Sequence, residues 1–123
     1  MNYEMTKDGH ALFLVKLFGP YDIPFSFADR YSSMLQFQDK VKTQLSIPAD
    51  GLPAAFPAKK FFGATDPAFL RKRCEQMTSF FNGFLADPNV KNSPLIYGYF
   101  REKAADEASK ETIDKFIAFL TDK

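Results

Sequence analysis

Apolar and polar positions follow two different periods along this chain. Residues 11–18, Ala-Leu-Phe-Leu-Val-Lys-Leu-Phe, form a β-prone apolar run that Gly19-Pro20 ends. Lys7-Asp8-Gly9 just before it reads as a hairpin turn, which makes residues 2–6 a short first strand. Beyond Pro24, Phe25 and Phe27 alternate with Ser26 and Ala28, so residues 23–29 form a third strand with one exposed side. Strands joined by tight turns in this way make an antiparallel meander.

From Ser32 the period lengthens. Met34, Phe37, Val41 and Leu45 recur at helical spacing, with Ser32 or Ser33 placed to cap the helix. Residues 46–58 carry Pro48, Pro53 and Pro57 with Gly51, which excludes a regular helix or a central strand. A loop of that length inside a compact domain is usually functional or disordered. Asp66-Pro67 opens a second helix, whose buried face is Phe69, Leu70, Met77, Phe80, Phe81, Phe84 and Leu85, and Asp87-Pro88 stops it. Residues 94–100 read as one more short helix. Residues 106–123 place Ile113, Phe116, Ile117 and Leu120 on one stripe opposite charges, a final amphipathic helix either folded back or open to a partner. Strands first and helices after indicate an α+β fold: a three-stranded antiparallel meander packed against a helical subdomain, with an extra C-terminal helix.

Composition narrows the picture. The chain has 123 residues, 46% of them hydrophobic, enough for one core without staples. Fifteen phenylalanines and no tryptophan make that core aromatic. Sixteen Lys+Arg against fifteen Asp+Glu leave a net charge of +1, which argues against a bulk-basic nucleic-acid clamp. Cys74 is the single cysteine and His10 the single histidine. A disulfide framework, a zinc site and a multi-histidine metal site are therefore not expected, and a reducing compartment is the default. No apolar run approaches the roughly 18–20 residues of a spanning helix, and no secretory leader is evident. The expectation is a cytoplasmic domain whose membrane contact, if any, is peripheral.

The usual catalytic parts are missing from the sequence. It has no paired-cysteine motif, no Gly-x-Ser-x-Gly elbow and no Gly-rich phosphate loop, so no enzyme, no catalytic residue and no cofactor is expected. His10 reads as a solvated turn residue rather than a general base. Cys74 reads as a small buried hydrophobe, because Arg71, Lys72 and Arg73 would activate it only if it were exposed. Tyr97-Gly98-Tyr99-Phe100 faintly echoes the aromatic strand of RNA-recognition motifs. Without that motif's strand repeat, no nucleic-acid partner is expected.

The basic residues cluster instead. Between Lys59 and Arg73 stand five cations (Lys59, Lys60, Arg71, Lys72, Arg73) against one acid, Asp66, a local balance of +4 on a chain whose total is +1. Such a run is often only a solvated face. Here Arg30-Tyr31 stands at the junction of the third strand and the first helix. An arginine fork beside an aromatic ring suits a phosphorylated, sugar-like ring, the fork taking phosphate oxygens and the flat ring packing on the apolar face.

At these residues the chain resembles a known family. Arg30-Tyr31-Ser32, followed by Met34 and the helix bearing Leu35 and Val41, is similar to the Arg-Tyr-Ser-x-Phe signature of Phox-homology (PX) domains. Residues 56–63, Phe-Pro-Ala-Lys-Lys-Phe-Phe-Gly, resemble the family's segment after its proline-rich loop. Arg73, four residues before Met77 and followed by Phe80-Phe81, resembles its Arg-x-x-x-Leu helix, and residues 94–100 fit its closing helix. The resemblance implies a PX-like phosphoinositide-binding domain over residues 1–103, with residues 104–123 a C-terminal helix packed on it or appended to it. It implies a membrane-targeting module whose ligand is most often phosphatidylinositol 3-phosphate on endosomes. Under it Arg30 takes the 3-phosphate, Tyr31 packs under the inositol ring, Lys59 contacts the 1-phosphate, and Arg73 the 4- and 5-hydroxyls. Lys60, Arg71 and Lys72 are auxiliary cations.

Departures from the pattern matter too. Asp29 stands where the family commonly has a second basic residue, and an acid there is expected to weaken the positive field. Met34 replaces phenylalanine, an adaptable filler. No two prolines are three apart, so the common Pro-x-x-Pro element is absent. Leu52 and Phe56, with no charge between Gly51 and Lys59, form a candidate membrane-insertion loop, with packing onto the core as the other reading for Phe56. Asp29 and the tail helix, with Asp106, Glu107, Glu111 and Asp114, motivate a second reading: a PX-like protein-interaction scaffold with a weak or unused pocket and a protein partner on the C-terminal helix.

Overall fold

The computed structural model describes residues 3–48, 55–59 and 65–122. Three strands, β1 (Tyr3–Met5), β2 (Ala11–Phe18) and β3 (Pro24–Arg30), form an antiparallel sheet in the order β1-β2-β3. Helices α1 (Tyr31–Gln44), α2 (Pro67–Leu85), α3 (Pro88–Lys91), α4 (Pro94–Glu102) and α5 (Glu107–Thr121) follow. The α+β meander read from the sequence is thus the fold observed.

Strand alternation decides what each residue meets. Phe13, Val15 and Leu17 of β2 point inward opposite Asp29, Phe27 and Phe25 of β3, and all are buried. Helix α2 packs on β2 through Leu70, Cys74, Met77, Phe81 and Phe84, a recurrence of three and four residues that keeps one stripe facing the sheet. Phe27 is a hub of this aromatic core. Its ring lies 5.1 Å from Phe81 and 5.0 Å from Phe100, centroid to centroid. Each fully buried phenylalanine contributes about 1.5–3 kcal/mol of transfer free energy.

The tail helix folds back on the sheet. Residues 103–105 cover the open edge of β3: Ala28 N–H donates to Lys103 O (2.9 Å), and Ala105 N–H to Ser26 O (3.0 Å). Asp106 caps α5 through the Ser109 amide (2.7 Å), and Ser109 Oγ accepts from the Ser26 amide (2.8 Å). Ile113 and Phe116 are buried against β3 and α4, with Phe116 5.6 Å from Phe25 and 5.5 Å from Tyr97. The contact is close enough to require a glycine. A Cβ on Gly19 would lie on the Phe116 ring, 2.7 Å from its Cζ.

Two local expectations are corrected. Neither Ser32 nor Ser33 caps α1: the helix begins at Tyr31, with Arg30 at the N-cap position and no side-chain cap. Asp87-Pro88 does not simply stop α2. Asp87 Oδ1 accepts from the Asn89 and Val90 amides and starts the short helix α3.

Candidate functional site: a cationic cleft at the strand–helix junction

Arg30 closes β3, paired with Leu12 of β2. Because inward and outward positions alternate, the buried Asp29 faces the interior and Arg30 projects outward. The chain then turns straight into α1, which puts the Tyr31 ring beside Arg30. From the other side α2 presents Phe69 and Arg73, one helical turn apart. Arg73 is buried, with 6% of its surface exposed. Its guanidinium lies 4.1 Å from the Tyr31 ring centroid and 4.6 Å from that of Phe69, between two aromatic faces.

The same two residues pin the chain that carries Lys59. Tyr31 donates its hydroxyl to Pro57 O (2.6 Å), and an Arg73 Nη donates to Ala58 O. Phe56 packs against Tyr31 at 5.3 Å and Phe80 at 5.2 Å. Phe56 is half-buried, and these ring contacts favour packing on the protein's own aromatic core over membrane insertion. Leu52 and Lys60 lie outside the described residues.

These elements enclose a cleft of about 440 Å³ lined by Arg30, Tyr31, Lys59 and Arg73, together with Gly9, His10, Ala11, Phe13, Ser32, Thr65, Phe69 and Leu70. The structure thus brings the four headgroup candidates to one place. Arg71 and Lys72 are exposed on α2 and are not part of the wall. No lining residue is acidic, and among the described residues no carboxylate pairs with Arg30, Lys59 or Arg73.

Electrostatics sharpen this. Arg73 Nε is buried with no hydrogen-bond partner among the described residues. Burial lowers the Arg73 pKa, the Tyr31 hydroxyl working the other way, yet a guanidinium stays charged. Burial also raises the Tyr31 pKa, against the pull of Arg73, so its hydroxyl is a neutral donor. A buried cation without a counter-charge is costly, and an anion or a set of hydroxyl groups entering the cleft relieves that cost.

Asp29 is buried and is not among the cleft-lining residues. Its carboxylate is 5% exposed, accepts the Tyr99 hydroxyl (2.5 Å) and the Arg30 amide (2.8 Å), and has Lys103 Nζ at 3.8 Å. It anchors the strand–helix junction from the inside rather than lining the cleft. Cys74 is buried, its thiol 3.2 Å from Leu14 O and its pKa raised chiefly by burial, so it is no nucleophile.

Sequence reasoning missed His10, Thr65 and Phe69 as wall residues. Phe69 sits four residues before Arg73 on one helix face, a signal available in the sequence. His10 shares its parity with Leu12, the strand partner of Arg30, but its approach to the cleft depends on the turn.

Comparisons with known proteins agree with this architecture. The family model for the PX domain matches residues 22–103. The chain belongs to the PX domain family. A solved structure described as a designed CISK-PX domain is similar, with a TM-score of 0.62 and 19% identity. The match covers 80% of this chain and 92% of that one. At that identity the likeness speaks for the fold. A comparison with curated proteins finds no match. Family membership supports a general assignment, a phosphoinositide-binding module that acts at membranes. Among the described residues no helix is long and apolar enough to cross a membrane.

Proposed function

We propose that the cleft captures the headgroup of phosphatidylinositol 3-phosphate and holds the chain peripherally on endosomal membranes. The observation that carries this reading is the wall itself: Arg30, Lys59 and the buried, acid-free Arg73 surround one cleft floored by Tyr31. Arg30 takes the 3-phosphate through its fork, and Lys59 meets the 1-phosphate as a point charge. Arg73 has unspent N–H groups for the ring hydroxyls at positions 4 and 5, and Tyr31 packs against the ring. A pocket of a few hundred Å³ with apolar walls and few charged groups is the usual form of a small-ligand site.

Leu52, in the proline-bearing segment beside the cleft-lining Lys59, adds membrane contact by insertion, and Lys60, Arg71 and Lys72 add nonspecific attraction to an anionic leaflet. The scaffold reading loses its two motives. Asp29 is engaged inside the fold, and the stripe of the tail helix is spent on β3 and α4.

Binding to liposomes that each contain one phosphoinositide, against phosphatidylserine vesicles of matched charge, tests the proposal. Selective binding to the 3-phosphate lipid is the expected result. Binding that only tracks lipid charge would overturn it.

A further inference from the structure

The cleft wall contains one group that the headgroup reading leaves idle. His10 follows Gly9, whose φ of 82° turns the β1–β2 hairpin back toward the cleft. Its backbone is held on both sides: Thr6 N–H donates to His10 O (2.8 Å), and His10 N–H to Thr6 Oγ1 (3.1 Å). The backbone is thereby held, and the imidazole, 48% exposed, stands on the rim, in the same wall as Arg30, Lys59 and Arg73.

We infer that His10 is a further headgroup-facing residue, one that adds a cation to the cleft in mildly acid solution and makes capture of the phosphorylated ring pH-dependent. The inference rests on the headgroup reading above and extends it to regulation of the same cleft.

The charges around His10 set the sign. From its own turn it faces Asp8, with Oδ2 3.8 Å from His10 Nε2. Asp8 also accepts the Thr6 hydroxyl (2.7 Å), which with its backbone contact lowers its pKa, so it is a carboxylate throughout the relevant range. From β3 comes Arg30, from the 55–59 segment Lys59, from α2 Arg73, and from α1 the neutral Tyr31 and Ser32. Arg30, Lys59 and Arg73 thus line the same cleft as His10, with Asp8 as its nearest acid. A bound phosphate offsets those cations and offers the imidazolium an anionic acceptor. Histidine changes charge between about pH 5 and 8. By reciprocity, a ligand that favours the imidazolium binds more tightly where the imidazolium forms, below neutrality.

A phosphate monoester also takes up a proton near about pH 6, which weakens capture in acid irrespective of His10. The useful quantity is therefore the ratio of wild type to His10→Gln, whose neutral amide replaces the titrating ring.

The full chain is measured on phosphatidylcholine vesicles containing phosphatidylinositol 3-phosphate, and on soluble inositol 1,3-bisphosphate, at pH 7.5 and 5.5 and constant salt. The ratio is expected to grow by about five- to tenfold from pH 7.5 to 5.5, the size of one charge-assisted hydrogen bond at a half-exposed rim. It is expected to grow equally with both probes, and His10→Lys should remove most of the histidine-dependent slope. Wild-type and His10→Gln profiles that run parallel would overturn the inference while leaving the cleft as the headgroup site. A ratio that grows on vesicles alone would assign His10 to the bilayer surface and also overturn it. No binding of wild type at either pH would overturn the headgroup reading, and the inference with it.

Discussion

The Tyr99 hydroxyl donates to Asp29 Oδ2 at 2.5 Å, tying α4 to the residue immediately before Arg30. The bond holds that acid inside the fold, at the junction that carries Arg30. Tyr99 is stacked on Phe37 at 3.7 Å, and burial, with the Asp29 hydrogen bond second, raises its pKa. It is a neutral donor at any physiological pH. Tyr99→Phe strands a buried carboxylate oxygen, so a stability loss of about 1.5–3 kcal/mol is expected. Urea unfolding checks it; an unchanged midpoint would mean that Lys103 and the Arg30 amide suffice for Asp29.

Arg73 separates function from stability. Among the described residues its buried charge has no acid partner, so an apolar side chain of similar length is expected to fit between Tyr31 and Phe69 with a stability change under about 1.5 kcal/mol. Headgroup binding by Arg73→Met should fall at least tenfold, since hydrogen bonds to charged groups are worth about 1.5–3 kcal/mol. Thermal unfolding and titration with a soluble headgroup check both halves. A folded variant with wild-type affinity would remove Arg73 from the ligand set.

Gly19 is held small chiefly by Phe116, with Phe25 Cε1 next, 3.1 Å from a Cβ placed there. Its φ of −80° is ordinary, so the cost of Gly19→Ala is steric and is expected at about 1–3 kcal/mol. The double change with Phe116→Leu should recover part of that loss, which chemical denaturation of the four chains in the cycle would show. Absence of coupling would mean that α5 shifts freely on the sheet.

Tyr97 marks an alkaline limit. Burial pushes its pKa up to about 12, against a value near 10 for an exposed tyrosine. Between those values the unfolded chain releases a proton that the folded chain keeps, so stability falls as pH rises above about 10. The buried hydroxyl has no partner among the described residues. Tyr97→Phe should therefore leave neutral-pH stability unchanged or raise it by about 1 kcal/mol, and should flatten the alkaline loss. Urea midpoints at pH 7 and 11 check it; a marked loss at pH 7 would reveal a partner for the hydroxyl.

The sequence made some of this legible for clear physical reasons. β2 was readable to the residue because its apolar run is uninterrupted and Gly19-Pro20 cannot continue it. The stripe from Leu70 to Phe84 and the Asp66-Pro67 start of α2 are equally local signals. Of the cleft, Arg30 and Tyr31 stand out at a strand–helix junction and Lys59 and Arg73 within a local basic run, while the role of each comes from the family resemblance. The Asp29 contact is not legible in the sequence because its partner Tyr99 lies seventy residues away, and strand parity alone does not say which acids find a buried donor. For Phe56 the sequence is silent, because a loop aromatic beside prolines looks the same whether it meets lipid or Phe80. His10 reaches the cleft through the geometry of a turn, which composition does not encode.

The central claim is that Arg30 holds the phosphate of a phosphoinositide headgroup in this cleft. It is tested most directly by comparing wild type and Arg30→Ala on vesicles containing phosphatidylinositol 3-phosphate, with thermal unfolding as the control for fold. Arg30 is exposed and outside the core, so Arg30→Ala should unfold like wild type and bind about ten- to a hundredfold more weakly. Equal binding by the two folded proteins would contradict the account.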